Sequence, residues 1–278
     1  MTGKIAFQGA LGAYGDQACR TMRPDFTPLP CETFEDVFKA VDSGEADLAM
    51  LPVENSTYGR VADIHRLLPD SGLHIVDEIF VRVRIALLAM PGSKIKDIKV
   101  ARGHLVILPQ CRTFLDANGI TPEVATDNAG AAEDIAKAKE YGAAALASAL
   151  AGEIHGLEVL ADGIEDEGNN TTRFLVMSPK KDDARRADKM MTTFVFQVRN
   201  IPAALYKAMG GFATNGVNMT KLESYMGGKF SVTEFYADIE GHPNDANVQL
   251  AMEELGFFTN KLEILGTYPA APERGSQG

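Results

Sequence analysis

Through residue 178, short apolar runs alternate with stretches whose apolar positions recur every three or four residues, the pattern of strands and helices in a parallel α/β sheet. Ile5 to Phe7 predicts a strand, residues 9–15 a glycine-rich turn and residues 16–22 a helix. Residues 27–29 form a second strand, and Thr33 is the predicted N-cap of a helix with Phe34, Val37, Phe38 and Val41 on its apolar face, stopped by Ser43-Gly44. A third strand covers Ala46 to Leu51 and ends at Pro52, before the polar run Glu54-Asn55-Ser56-Thr57. The long β-rich stretch from His74 to Met90 marks a crossing into a second lobe. That lobe holds a helix over 110–117, a strand over 123–125, a helix opened by Asp127 and running to Lys139, and a strand over 143–147. Apolar runs at 157–161 and 173–177 return the chain to the first lobe, and two lobes imply a cleft.

Residues 179–189 are dense in charge and read equally well as a solvated linker or an exposed helix. Beyond them the pattern predicts a strand over 191–199, a helix opened by Pro202, strands over 219–226 and 229–239 joined at Gly227-Gly228, a helix over 245–255 closed by Gly256, and a strand over 262–265. The order βαββαβ is the ferredoxin-like motif. The expected division is a catalytic domain over 1–182, with lobes 1–80 plus 160–182 and 81–159, a second domain over 190–270, and a disordered tail over 271–278.

Length and composition sharpen this picture. A chain of 278 residues fits two domains, and 45% hydrophobic with 23% charged residues is ordinary for a globular protein. The net charge of −11 argues against nucleic acid as a partner, because such binders need a basic face. Cys19, Cys31 and Cys111 are odd in number and widely spaced, so neither a disulfide framework nor a metal site is indicated. The N-terminus leaves no room for a signal peptide and no window suits a membrane span, which makes the cytoplasm the expected location.

Three segments carry candidate chemistry. The turn Gly9-Ala10-Leu11-Gly12-Ala13-Tyr14-Gly15 lies between strand and helix, where it serves equally as an anion cradle or a plain tight turn; Asp16 opposes an anion there. Asn55, Ser56 and Thr57 offer neutral donors at the C-terminal end of a strand. In Asn170-Thr171-Thr172-Arg173-Phe174, a hydroxyl and a guanidinium at a strand's start suit a carboxylate substrate, against the plain alternative of a solvent-facing loop. His104, in an apolar context, reads first as a packed structural histidine. No nucleophile turn, HExxH or glycine-lysine phosphate loop appears, so hydrolase and kinase readings lack support.

Taken in order, these segments resemble the prephenate dehydratase family over nearly the whole chain. The resemblance rests on the glycine turn with Ala13-Tyr14, the Pro52 to Thr57 run, His104 to Cys111, Ala145-Leu146-Ala147-Ser148, and above all Asn170 to Phe174. The C-terminal module resembles the regulatory ACT domain at Pro202 to Tyr206, Asn218 to Lys221 and Glu223-Ser224. The resemblance implies two catalytic lobes like those of periplasmic binding proteins, and decarboxylating dehydration of prephenate to phenylpyruvate without a cofactor. It assigns Thr172 a hydrogen bond to the departing hydroxyl, and makes Gly12, Ala13, Tyr14, Asn55, Ser56, Thr57, His104, Asn170, Arg173 and Phe174 substrate-binding residues. Strand alternation nevertheless sends Thr172 and Arg173 to opposite faces. It further implies feedback by L-phenylalanine bound at Ala203, Ala204, Leu205, Asn218, Met219, Glu223 and Ser224, in a homodimer or homotetramer. The chain departs from the family at Gly15 (usually Ser or Thr), Gly103-His104-Leu105-Val106 (Ser-His-Pro-Gln), Ala203 (Gly) and Tyr225-Met226 (Arg-Pro). Arogenate dehydratase and a non-catalytic solute-binding or amino-acid-sensing protein are the competing readings.

Overall fold

The computed structural model describes residues 3–226 and 232–276, the side chains of 225, 226, 232, 233, 275 and 276 excepted. The turn expected at Gly227-Gly228 and the first residues of the strand expected from Lys229 therefore lie outside the described residues. The chain begins β1 (Lys4–Gln8), α1 (Tyr14–Met22), β2 (Thr27–Cys31), α2 (Phe34–Asp42), β3 (Leu48–Asn55), β4 (Gly59–Arg60), α3 (Ala62–Leu67) and β5 (His74–Arg82). It continues with β6 (Ala86–Ala89), β7 (Val100–His104), α4 (Arg112–Asn118), β8 (Thr121–Ala125), α5 (Asn128–Ala138), β9 (Ala143–Ala147), α6 (Ala149–His155), β10 (Glu158–Asp162) and β11 (Thr171–Ser178). Then come β12 (Met190–Val198), α7 (Ala204–Thr214), β13 (Met219–Met226), β14 (Val232–Glu240), α8 (Ala246–Phe258) and β15 (Thr259–Pro269). Two compact units result, residues 1–64 with 79–174, and residues 65–78 with 175–278.

The first unit has two lobes, each built on its own sheet. In one, β1 lies between the parallel strands β2 and β3, and Ile5, Ala6 and Phe7 are wholly buried, as expected of a parallel strand covered on both faces. Thr33 caps α2 by accepting from the Asp36 N–H, as its position predicts. In the other lobe the strand order is β10-β6-β9-β7-β8, with β7 parallel to β8 and β9 and with β6 antiparallel to β9 and β10. Every residue of β9 is buried, and its alanines let α5 approach closely. Asp127 and Ser148 cap α5 and α6.

Several boundaries move. β3 runs through Pro52 to Asn55, and Pro52 falls between the residues that pair with β1 and those that pair with β4. The stretch 74–90 is two strands, not one, and α3, β7 and α6 are additional short elements. Of the two readings of residues 179–189, no helix forms. Among the described residues no helix is long and apolar enough to cross a membrane.

The second unit carries the order βαββαβ as an antiparallel sheet β13-β14-β12-β15. Its core stacks Phe194 on Phe212 at 5.9 Å and Phe196 on Phe235 at 5.2 Å, with α8 contributing Val248, Ala251 and Leu255. Helix α8 passes Gly256, which keeps a negative φ and so does not act as a left-handed cap. Within the same unit Gly266 lies against Ile75 of β5, where a Cβ would overlap the Ile75 carbonyl oxygen. Within the expected disordered tail, residues up to 276 are ordered against this unit. Residues Pro272–Ser276 form a 3-10 turn, and the Arg274 guanidinium grips the buried Glu78 carboxylate through Nε at 2.6 Å and Nη2 at 2.9 Å.

Two stability outcomes follow. Ala203 sits at φ 60°, ψ 21°, immediately before α7, so Ala203→Gly should raise unfolding stability by about 1 kcal/mol in urea titration. Arg274→Ala leaves Glu78 without its fork and should cost about 3 kcal/mol, with Arg274→Lys recovering only part.

Candidate active site

Strands β3 and β11 are neighbours, and their side chains meet in two cross-strand pairs of opposite facing. On one face the Asn55 Nδ2 donates to Thr172 Oγ1 at 3.0 Å. On the other, Arg173 donates to Glu54 Oε1 at 2.8 Å. Arg173 is only 1% exposed, so the carboxylate this guanidinium meets is the chain's own Glu54 and not one brought in by a ligand. Phe174 likewise lies in packed core. Alternation thus separates Thr172, which keeps partial exposure, from Arg173.

Asn55 sits at the centre of a chain of carboxamides. Its Oδ1 accepts from the backbone N–H groups of Thr57 and Tyr58, at 2.9 and 3.0 Å. Those groups only donate, so the oxygen must face them and Nδ2 must face the other way. Nδ2 donates to Asn170 Oδ1 at 2.6 Å as well as to Thr172. Asn170, itself buried, donates through Nδ2 to Gln110 Oε1 at 2.8 Å. Gln110 Nε2 in turn donates to the Val106 carbonyl at 2.9 Å and to the Tyr58 hydroxyl at 3.0 Å. A carbonyl only accepts, so the far end of the chain is fixed in the same sense as the near end. Thr172 therefore receives a hydrogen bond, and among the described residues its own hydroxyl hydrogen has no acceptor. That hydrogen is therefore available to donate.

The remaining expected residues divide. Ser56 braces the strands instead of facing a ligand: its Oγ donates to the Asn169 carbonyl at 3.0 Å and accepts the Thr171 N–H at 2.9 Å. Thr57 is exposed beside it. At the glycine turn, the Gly12 N–H donates to Asp16 Oδ2 at 2.8 Å and the Ala13 N–H to the Ala10 carbonyl at 3.1 Å, so these two amides are spent inside the protein. The anion at the start of α1 is Asp16 itself, reaching back much as the acidic residue of a capping box does. Ser148 Oγ donates to the Gly12 carbonyl, which ties the two lobes together. Tyr14 donates to the Arg84 carbonyl at 2.9 Å, and burial, followed by nearby Glu165, pushes its phenol well above the usual range and keeps the proton in place.

His104 is exposed, not packed, because β7 ends there and carries it to the strand's C-terminal edge. Its Nδ1 accepts from the Val106 N–H at 3.2 Å, so in the neutral ring the proton sits on Nε2. Cys111, beside Gln110, is fully buried and its thiol is pushed up to about 12, first by burial and then by Asp166 and Glu165. It is no nucleophile at neutral pH. Among the described residues no group of three or more His, Cys, Asp or Glu is placed to hold a metal ion. Gln110, Tyr58 and Glu54 were not among the expected site residues; the advance signs were the places of Gln110 in the His104 to Cys111 segment and of Glu54 in the Pro52 to Thr57 run.

In the second unit an open groove of about 570 Å³ is lined by Ala203, Ala204, Leu205 and Ser224, together with Ile201, Leu222 and Phe235 among others. Asn218, Met219 and Glu223 do not line it: Met219 packs against the core and Glu223 lies 3.4 Å from the Lys221 ammonium. The side chains of Tyr225 and Met226 are outside the described residues.

Comparison with known proteins matches residues 5–182 to the family model described as prephenate dehydratase. A relative from Komagataeibacter europaeus, named a bifunctional N-acyl-homoserine lactone acylase/prephenate dehydratase, is 50% identical over 272 residues and 97% of each chain. An arogenate dehydratase/prephenate dehydratase of Arabidopsis thaliana is 36% identical, covering 96% of this chain and 72% of its own. The crystal structure of a prephenate dehydratase from Arthrobacter aurescens in complex with L-Phe superposes with a TM-score of 0.84 at 28% identity, covering 96% of this chain and 92% of that one.

The geometry of the glycine turn is directly testable. Gly12 has φ 88°, and a Cβ there would lie 2.6 Å from Ala151 Cα and 2.8 Å from its Cβ. Gly12→Ala should therefore lower the melting temperature by several degrees, on the order of 2 kcal/mol, in a thermal denaturation series.

Proposed function

The chain belongs to the prephenate dehydratase family of carbon–oxygen lyases, and on that premise we propose that it converts prephenate to phenylpyruvate in the cleft of its first unit. The observation that carries this reading is the orientation of Thr172, a neutral donor whose oxygen already accepts a hydrogen bond from Asn55. In the reaction the ring carboxylate of prephenate leaves as carbon dioxide. The electron pair of the broken carbon–carbon bond moves through the ring, and the C–O bond to the ring hydroxyl breaks with release of hydroxide. Aromaticity of the product drives the step. A free threonine hydroxyl is too weak an acid to hand over its proton early, so Thr172 acts by stabilising negative charge as it grows on the departing oxygen. Asn170 and Gln110 fix the amide chain that aims it, while Thr57 and the Nε2–H of His104 are donors for the substrate's carboxylates. Arg173 supports the site through Glu54 and does not touch the substrate.

Residues 1–182 are the proposed catalytic domain and residues 190–270 a regulatory ACT domain that binds L-phenylalanine in its groove, with the chain working in the cytoplasm as a homodimer or homotetramer. The groove's apolar lining of Ala204, Leu205 and Leu222 beside the polar Ser224 suits an amino acid with an aromatic side chain. The Arthrobacter relative, crystallised with L-Phe, supports the same ligand. A second reading, N-acyl-homoserine lactone acylase activity, comes from the name of the 50% identical relative. Release of free homoserine lactone from an N-acyl substrate at a rate proportional to enzyme would support it, and no release would leave the lyase reading alone.

Incubation with prephenate should give phenylpyruvate, read by its absorbance in alkali, and arogenate should be the poorer substrate by kcat/KM. Thr172→Ala should lower kcat about a hundredfold or more with an unchanged circular dichroism spectrum. Full activity in that variant removes the assigned role. Titration calorimetry should show heat on adding L-phenylalanine to the whole protein, with a fall in rate; neither would be seen if the groove were empty of function.

A further inference from the structure

Tyr58 stands at the tip of the β3–β4 hairpin, where Glu54 pairs with Arg60 and Asn55 with Gly59 across a three-residue loop. Gly59 at φ 78° supplies the left-handed residue that such a loop requires. The loop is shaped by Asn55, whose Oδ1 holds both the Thr57 and Tyr58 N–H groups. The Tyr58 ring then reaches the other lobe, where its hydroxyl donates to the Val106 carbonyl at 3.1 Å and accepts from Gln110 Nε2 at 3.0 Å. Both hydrogens of the Gln110 amide are thereby engaged, one by Val106 and one by Tyr58. The hydrogen bonds close into a ring that starts and ends at Asn55: its carboxamide, Asn170, Gln110, the Tyr58 hydroxyl, and the Tyr58 backbone N–H. Thr172 hangs from this ring at a single point.

We propose that Tyr58 is a positioning residue for dehydration, holding Gln110 across the cleft so that the carboxamide ring keeps the Thr172 hydroxyl pointed at the substrate. The proposal rests on the dehydratase reading above. Without the phenol oxygen, one Gln110 hydrogen loses its acceptor and the amide is held at two points, Val106 and Asn170, instead of three. Rotation of Gln110 then releases Asn170, and the looseness passes to Asn55 and Thr172. Tyr58 is 53% exposed, so its packing contributes little to the fold and the hydroxyl can be tested almost alone.

The experiment is a cycle of Tyr58→Phe, Gln110→Ala and the double variant, with kcat and KM for prephenate and the melting temperature measured for each. Tyr58→Phe should lower kcat about fivefold, the worth of one neutral hydrogen bond, with KM within about twofold of wild type and the melting temperature nearly unmoved. In the Gln110→Ala background the same change should cost nothing further, because the part through which it acts is gone. Wild-type kcat in Tyr58→Phe overturns the proposal, as do losses that multiply across the two sites or a change confined to KM or melting temperature. Wild-type protein that turns over no prephenate overturns the dehydratase reading itself, which is a separate and recognisable failure.

Discussion

A carboxamide has a donor end and an acceptor end, and the arrangement around Asn55 depends on which end faces which neighbour. Two backbone N–H groups hold its oxygen, and a backbone carbonyl at the far side of the cleft holds the nitrogen of Gln110. Backbone groups cannot exchange donor and acceptor roles, so the intervening amides have one consistent orientation and not two. The site is polarised by geometry without any charged member. That matters because a neutral threonine hydroxyl can donate or accept: the Asn55 Nδ2–H occupies an acceptor position on its oxygen, and among the described residues its hydrogen has no acceptor.

The fold supplies this arrangement through strand alternation. Neighbouring residues on β3 and β11 send one pair, Asn55 and Thr172, to the cleft and the next pair, Glu54 and Arg173, to the opposite face. The buried ion pair is demanding, since an unpartnered guanidinium at that depth would be strongly destabilising, and its register is therefore tightly defined. Register in turn sets the distance between Asn55 and Thr172. Across the cleft, Ser148 on Gly12 and Tyr14 on the Arg84 carbonyl tie the lobes at separate points, so the amide chain spans a gap whose width is held elsewhere.

Features governed by local chemistry were legible in the sequence. Thr33 and Asp127 announced their helices because an N-cap acts over three residues, and the ferredoxin-like order followed from apolar periodicity. Alternation correctly warned that Thr172 and Arg173 would part, but the partner of Arg173 was hidden because Glu54 lies 119 positions away in the chain. Gln110 and Tyr58 were equally hidden, their roles arising from contacts across 60 and 52 positions. Asp16 opposes an external anion at the glycine turn, as its place in the sequence indicates, by accepting the Gly12 N–H itself. The short elements α3, β7 and α6 left too few turns of periodicity to be seen.

The most direct test of the oriented hydroxyl is Asn55→Asp, which preserves shape but puts an acceptor where Thr172 now meets a donor. Thr172 would then give its hydrogen to the new carboxylate and have none for the leaving oxygen. The account predicts that kcat for prephenate falls about as far as when the threonine hydroxyl is removed, on the order of a hundredfold, with no additional loss when both changes are combined. An Asn55→Asp enzyme that folds and keeps wild-type kcat would contradict it.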